Sequence, residues 1–202
     1  GMDIAALKKA LEEQKNVKFL YTIPSFHNPL GTCTSYEKRK EIYALCREHG
    51  VMILEDNPYG ELRFDGEDIP TLKSMDTDGI VIYTSSFSKV MSAGIRLGFV
   101  IAPKPVLDKM AVGKQAVDTH SNLFFQILIA EYMEKYDYDG HIQMIRDLYR
   151  HKSGLMLDEI RKGFPKSVKY TVPQGGLFLW CTLPDGADML KFVQFAKTKG
   201  VA

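Results

Sequence analysis

The 202-residue sequence holds only three cysteines, Cys33, Cys46 and Cys181, an odd number set far apart. That excludes a disulfide framework and gives no metal-ligand spacing, so they read as reduced thiols of a cytoplasmic protein. No apolar run reaches the length a bilayer span needs, and the start, Gly1-Met2-Asp3, has no hydrophobic leader core; Gly1 ahead of Met2 reads as an expression remnant. Neither charge dominates: Lys plus Arg number 26 against 25 for Asp plus Glu, which offers no basic surface to nucleic acid and no acidic tail. Internal repeats and low-complexity segments are absent too. The five histidines, His27, His49, His120, His141 and His151, show no ligand spacing, so no metal site is expected. What is present is 45% hydrophobic and 11% aromatic content, enough to bury a core. The expected partners are small molecules or another subunit.

Helical and strand patterns alternate along the chain. Asp3 caps a helix on Ile4, Leu7 and Leu11 that ends near Asn16, and Val17 to Ile23 reads as a strand. Two prolines and a glycine make residues 24–31 a loop. Thr34 and Glu37 form a capping box for a helix running to His49, stopped by Gly50. Apolar runs of buried-strand type follow at 51–54, 80–84 and 97–101. Strand, helix, strand in this order predicts an α/β fold with a mostly parallel sheet. From Lys104 the pattern turns helical, over 105–117, 122–136 and, after a break at Asp137-Tyr138-Asp139-Gly140, 141–162. That break is the expected hinge, with residues 1–140 as one domain and 141–202 as part of a second. Strands at 168–172 and 177–183 flank a glycine turn at 173–176, a helix covers 187–199, and Val201-Ala202 reads as the start of another strand.

Ligands of open α/β sheets sit beyond the carboxyl ends of the strands. Three segments fall there: Asn28 after the first strand, Asp56 and Tyr59 after the second, and Ser86, Ser88 and Lys89 after the third, with Arg96 seven residues past Lys89. A primary amine, hydroxyls and a guanidinium together suit an anionic phosphate beside an aldehyde. Taken singly, each has a plain explanation: Asp56 as a turn or helix cap, Asn28 as a turn residue before proline, Tyr59 as a half-buried aromatic, Arg96 as a surface arginine, the serines as loop hydroxyls. Their joint order is what points to a site.

These residues, as Asn28-Pro29-Leu30-Gly31, Asp56-Asn57-Pro58-Tyr59 and Ser86-Phe87-Ser88-Lys89 with Arg96, resemble fold-type-I aminotransferases of class I/II. The likeness is to the branch holding kynurenine and 2-aminoadipate aminotransferases and related regulator modules. Arg63-Phe64 with Gly66-Glu67, and Pro173-Gln174-Gly175-Gly176-Leu177-Phe178-Leu179-Trp180, extend the match over essentially the whole chain. The resemblance implies the aspartate aminotransferase fold, here the later part of a large domain plus part of a small α+β domain. It also implies pyridoxal 5'-phosphate (PLP) as cofactor, an amino acid and a 2-oxo acid as substrates, and a homodimer. Lys89 would form the Schiff base and carry protons, which needs an amine that burial can keep neutral. Asp56 would face the pyridine nitrogen. A carboxylate ~4 Å from a pyridinium at an effective dielectric of ~20 contributes ~4 kcal/mol, about three pKa units before desolvation. Asn28 and Tyr59 would donate to the ring's phenolic oxygen, and Ser86, Ser88 and Arg96 would hold the phosphate.

Ser86-Phe87-Ser88-Lys89 also fits the Ser-x-x-Lys pattern of serine β-lactamases, but the Ser-Asp-Asn and Lys-Thr-Gly tripeptides that reading needs do not occur. The alternatives that remain are a PLP-binding sensor module of a transcriptional regulator and another PLP reaction such as β-elimination. Against the resembled family the sequence has no segment ahead of Asp3 for a phosphate cup and ring-stacking aromatic, and no carboxy-terminal substrate arginine. It reads as a fragment, of which weak or absent cofactor binding and negligible turnover are expected.

Overall fold

Side chains that accept from free backbone N–H groups start most of the helices. In the computed structural model, which describes residues 1–201, Asp3 accepts from Ala6 N to open α1 (Ile4–Glu13). The strand that follows, β1, is Phe19–Thr22. The next helix, α2 (Tyr36–Glu48), is capped by Ser35, which accepts from Lys38 N, so the expected box at Thr34 is displaced by one residue. Thr34 is buried in the preceding loop instead, with its N–H donated to Pro24 O at 2.8 Å. Gly50, at φ 63°, ends α2 in the left-handed region as expected.

Strands β2 (Met52–Asp56) and β3 (Val81–Ser86) run parallel to β1, and β4 (Gly98–Ile101) returns antiparallel at the edge, giving the order β1-β2-β3-β4. One sheet face is covered: Leu7 and Leu11 of α1 and Ile42, Tyr43 and Cys46 of α2 pack on Ile53 and Val81. Side chains alternate along a strand, so Phe19, Tyr21, Leu54, Asp56 and Thr84 lie on the other face, where Phe19 and Tyr21 are about half exposed.

Three helices follow: α3 (Lys104–Val117), α4 (Leu123–Lys135, capped by Asn122) and α5 (Tyr138–Gly163, capped by Asp137). The expected break at 137–140 is narrower than read from sequence, because Asp137 accepts from Gly140 N and the tetrapeptide becomes the first turn of α5. The first half of α5 is tied back to the sheet region: Arg146 donates to Glu61 O at 2.7 Å, Arg150 to Phe64 O at 2.8 Å, and His141 meets Val90 O at 2.9 Å.

The two expected later strands shrink to β5 (Lys169–Tyr170) and β6 (Cys181–Thr182), antiparallel to each other, before α6 (Met189–Thr198). The glycine segment between them is not a tight hairpin turn. It leaves its own strands and docks on the sheet region: Gly175 bridges Arg63, Phe64 and Asp65 N–H groups both donate to Gln174 O, and Gly176 N donates to Leu62 O. Of the expected terminal strand, Val201 is not in a strand and Ala202 lies outside the described residues.

Candidate active site

The loop that carries Asn28 is fixed at both ends by one side chain. The fully buried Arg39 guanidinium of α2 donates to Pro24 O (3.1 Å) and Ser25 Oγ (2.9 Å) at its start and to Thr34 O (3.0 Å) at its end, and also to Pro70 O (3.0 Å) and Ile69 O (3.4 Å). Burial pulls the Arg39 pKa down, and the charge of Glu55 opposes this. Glu55, fully buried on β2, accepts from Leu72 N (2.9 Å) and Lys73 N (2.8 Å); burial pushes its carboxyl up although those bonds act the other way. Beside the loop start, Phe26 is fully buried at φ 52°, a conformation costly for a bulky residue and held only by dense surroundings. Gly175 and Gly176 supply them: a Cβ on either would stand 2.3 and 2.5 Å from Phe26 atoms. Arg63 lies over the other side of the Phe26 ring, 4.8 Å from its centroid.

The structure places Asn28 on the exposed outer part of this loop, where its side chain acts on the Tyr59 hydroxyl and opposes the effect of burial on it. Tyr59 is buried, with its ring edge-on to Phe178 at 5.4 Å between centroids, and burial raises its pKa. Asp56 is the last residue of β2 rather than a loop residue, directly opposite Thr84 of β3. Each of its carboxylate oxygens has a donor: Tyr21 OH at 2.7 Å on Oδ2 and Thr84 Oγ1 at 3.2 Å on Oδ1. Ser86 ends β3, and its hydroxyl accepts from Ser88 N at 3.1 Å and donates to Leu97 O at 3.2 Å. Arg96 takes φ 57°, a left-handed turn that brings its guanidinium back to Ser88 Oγ (3.4 Å) and Ala93 O (3.3 Å). Lys89 is half-buried in the turn at 87–91 and, among the described residues, has no carboxylate partner that would hold its charge.

Two groups thus come together at the strand ends: the Asn28–Tyr59 pair beside Asp56, and Ser86, Ser88 and Arg96 around the turn that bears Lys89. Two further residues, Tyr21 and Thr84, escaped sequence reasoning. Their signal is positional: both sit on strands flanking Asp56 and on its face, which becomes visible once the register is known. Gly98 allows β4 to pass close to this corner, since a Cβ there would lie 2.6 Å from Ser85 O. Among the described residues no cluster of His, Cys, Asp or Glu could hold a metal ion, and no helix is long and apolar enough to cross a membrane.

A strand-end cluster with a lysine, a carboxylate and a turn carrying two hydroxyls and a guanidinium, on a mostly parallel sheet, agrees with the class to which the comparisons point. The family of aminotransferases of class I and II matches residues 1–201, and the chain belongs to that family. It is 39% identical over 206 residues to aromatic-amino-acid aminotransferase 1 of Thermococcus litoralis, covering 100% of this chain and 49% of the relative. Among solved structures, kynurenine aminotransferase of Pyrococcus horikoshii, in complex with PMP, superposes with a TM-score of 0.96 at 37% identity, over 100% of this chain and 51% of that one. The alpha-aminoadipate aminotransferase LysN of Thermus thermophilus, complexed with N-(5'-phosphopyridoxyl)-L-leucine, gives a TM-score of 0.94 at 35% identity, over 100% and 52%. The chain spans about half the length of the relatives it matches.

Proposed function

We propose that the protein to which this chain contributes transfers an amino group between an amino acid and a 2-oxo acid, with pyridoxal 5'-phosphate as cofactor. The observation that carries the proposal is the convergence of Lys89, Asp56, the Asn28–Tyr59 pair and the Ser86, Ser88, Arg96 turn at the carboxyl ends of three neighbouring strands. The donor set fits the cofactor group by group. Ser86, Ser88 and Arg96 provide two hydroxyls and a guanidinium for a phosphate, Arg96 able to give parallel charge-assisted bonds. Asn28 and Tyr59 provide an amide and a phenol for a phenolic oxygen. Asp56 provides a carboxylate for a protonated ring nitrogen, and Lys89 an amine for an aldehyde.

Bound pyridoxal phosphate supplies a carbonyl for the amino group and a ring that draws electron density from the substrate's Cα. Lys89 would then move a proton at the substrate carbon, from the half-buried turn that carries it. Asp56, oriented by Tyr21 and Thr84, would face the ring nitrogen and hold its proton.

Residues 1–140 are assigned to the cofactor-bearing large domain and 141–202 to part of the small one. A cytoplasmic homodimer completes the proposal; three free thiols, and apolar side chains exposed along α4 such as Leu123, Phe124 and Ile127, support it. The test is release of 2-oxo acid from a panel of amino acids by the full-length protein with pyridoxal phosphate. Stoichiometric 2-oxo acid formation supports the transferase; cofactor binding without it points to a sensor module or another reaction on the same residues.

A further inference from the structure

The carboxylate of Asp56 is held from two sides, and only one of the holders is dispensable to the fold. Thr84 lies opposite Asp56 within the β2–β3 ladder. Tyr21 reaches it from β1, the edge strand, across the register in which Tyr21 pairs with Leu54. Its side chain crosses the open face of the sheet, where it is 51% exposed, and its one hydrogen bond is to Asp56 Oδ2 at 2.7 Å. An exposed tyrosine whose hydroxyl meets the carboxylate at the strand end contributes little to core packing and much to the direction of that carboxylate.

We propose that Tyr21 is a positioning residue for the proposed cofactor site: its hydroxyl fixes the rotamer of Asp56 so that the carboxylate presents its remaining lone pairs to a protonated ring nitrogen. This rests on the proposed function. Each carboxylate oxygen has about two acceptor sites, so Tyr21 on Oδ2 and Thr84 on Oδ1 leave one on each oxygen free. Burial, and after it the bond to Asp56, push the Tyr21 phenol up to about 12, so the hydroxyl remains a donor under any condition in which the site would work. A phenylalanine keeps the ring and removes only the donor.

The experiment compares the chain with its Tyr21→Phe variant in two readouts. Crystal structures without cofactor show whether Asp56 keeps its orientation; the expected result is a carboxylate turned away or split between rotamers in a chain that still folds. Titration with pyridoxal phosphate, followed by absorbance, is expected to show about tenfold weaker binding in Tyr21→Phe, the loss appropriate to a bond that orients a charged group. An Asp56 that stays in place in Tyr21→Phe overturns the inference, and so does one that turns while cofactor affinity is unchanged. If the unaltered chain takes up no pyridoxal phosphate at millimolar concentration, binding by this chain alone is refuted, the titration is repeated with the full-length protein, and the crystallographic comparison still decides whether Tyr21 positions Asp56.

Discussion

Replacing Arg39 with methionine should remove a large share of the stability of this chain. Methionine fills much of the same volume, so the change isolates the guanidinium rather than opening a cavity. Three of the acceptors it abandons are buried, Thr34 O, Pro24 O and Ser25 Oγ, and of these Pro24 O keeps Thr34 N as a donor while Thr34 O and Ser25 Oγ lose theirs. Each buried acceptor left without a donor costs about 1–3 kcal/mol. Glu55, fully buried, also loses the positive charge that opposes the effect of its burial. About 2–6 kcal/mol is expected from the two orphaned acceptors, against a total of about 5–15 kcal/mol for a domain. Urea denaturation followed by circular dichroism gives the number. Adding Glu55→Gln to Arg39→Met should recover about 1 kcal/mol or more, because the stranded charge is then gone. A loss below about 1 kcal/mol for Arg39→Met would refute the claim that this guanidinium fixes the loop bearing Asn28.

Gly175→Ala should lower the denaturation midpoint by an equivalent of about 2 kcal/mol, because the new Cβ would lie 2.3 Å from Phe26 and 2.6 Å from the Leu62 carbonyl, a backbone atom that cannot swing aside. A midpoint within error of the unaltered chain would show that the docked glycine segment has slack. The Tyr21 phenol has its folded midpoint raised from 10.0 to about 12, so the stability it contributes is fully present below pH 10 and is lost as pH rises through about 12. Tyr21→Phe should therefore flatten the fall in stability across that alkaline window; a fall as steep as in the unaltered chain would contradict it. Glu55 has its carboxyl raised by burial, so its contribution is present below the unfolded value and declines as pH rises through the folded one. Glu55→Gln should flatten the mildly acidic part of the stability profile measured by urea titration; an unchanged profile would show that the backbone donors outweigh burial.

Local chemistry made much of this architecture legible. Asp3 caps its helix where expected, Gly50 takes the left-handed stop, and the apolar runs around Ile53 and Val81 are buried strands. The cap at Ser35 was missed because Thr34 and Ser35 are equally able acceptors, and only the burial of Thr34 in the Arg39-held loop decides between them. The break before α5 and the glycine segment at 173–176 were misjudged for a related reason: glycines mark permitted turns, not what the turns dock against, and here the partners are Asp137 and Phe26. Of the site, the residues ending β2 and β3 and those in the following turn were readable from their order. The supporting residues Tyr21, Thr84 and Arg39 were not, because each acts across a register or a loop closure some 14 to 35 residues away in sequence.

The central claim, that these strand ends hold pyridoxal phosphate with its aldehyde at Lys89, is tested most directly by reductive trapping. The chain is incubated with pyridoxal phosphate, treated with borohydride, digested and mapped by mass spectrometry. Even weak binding should concentrate the label on Lys89, with Lys89→Ala abolishing that label and Arg96→Ala reducing it several-fold. A label spread over exposed lysines such as Lys8, Lys104 and Lys191, with Lys89 no more modified than they are, would contradict the account.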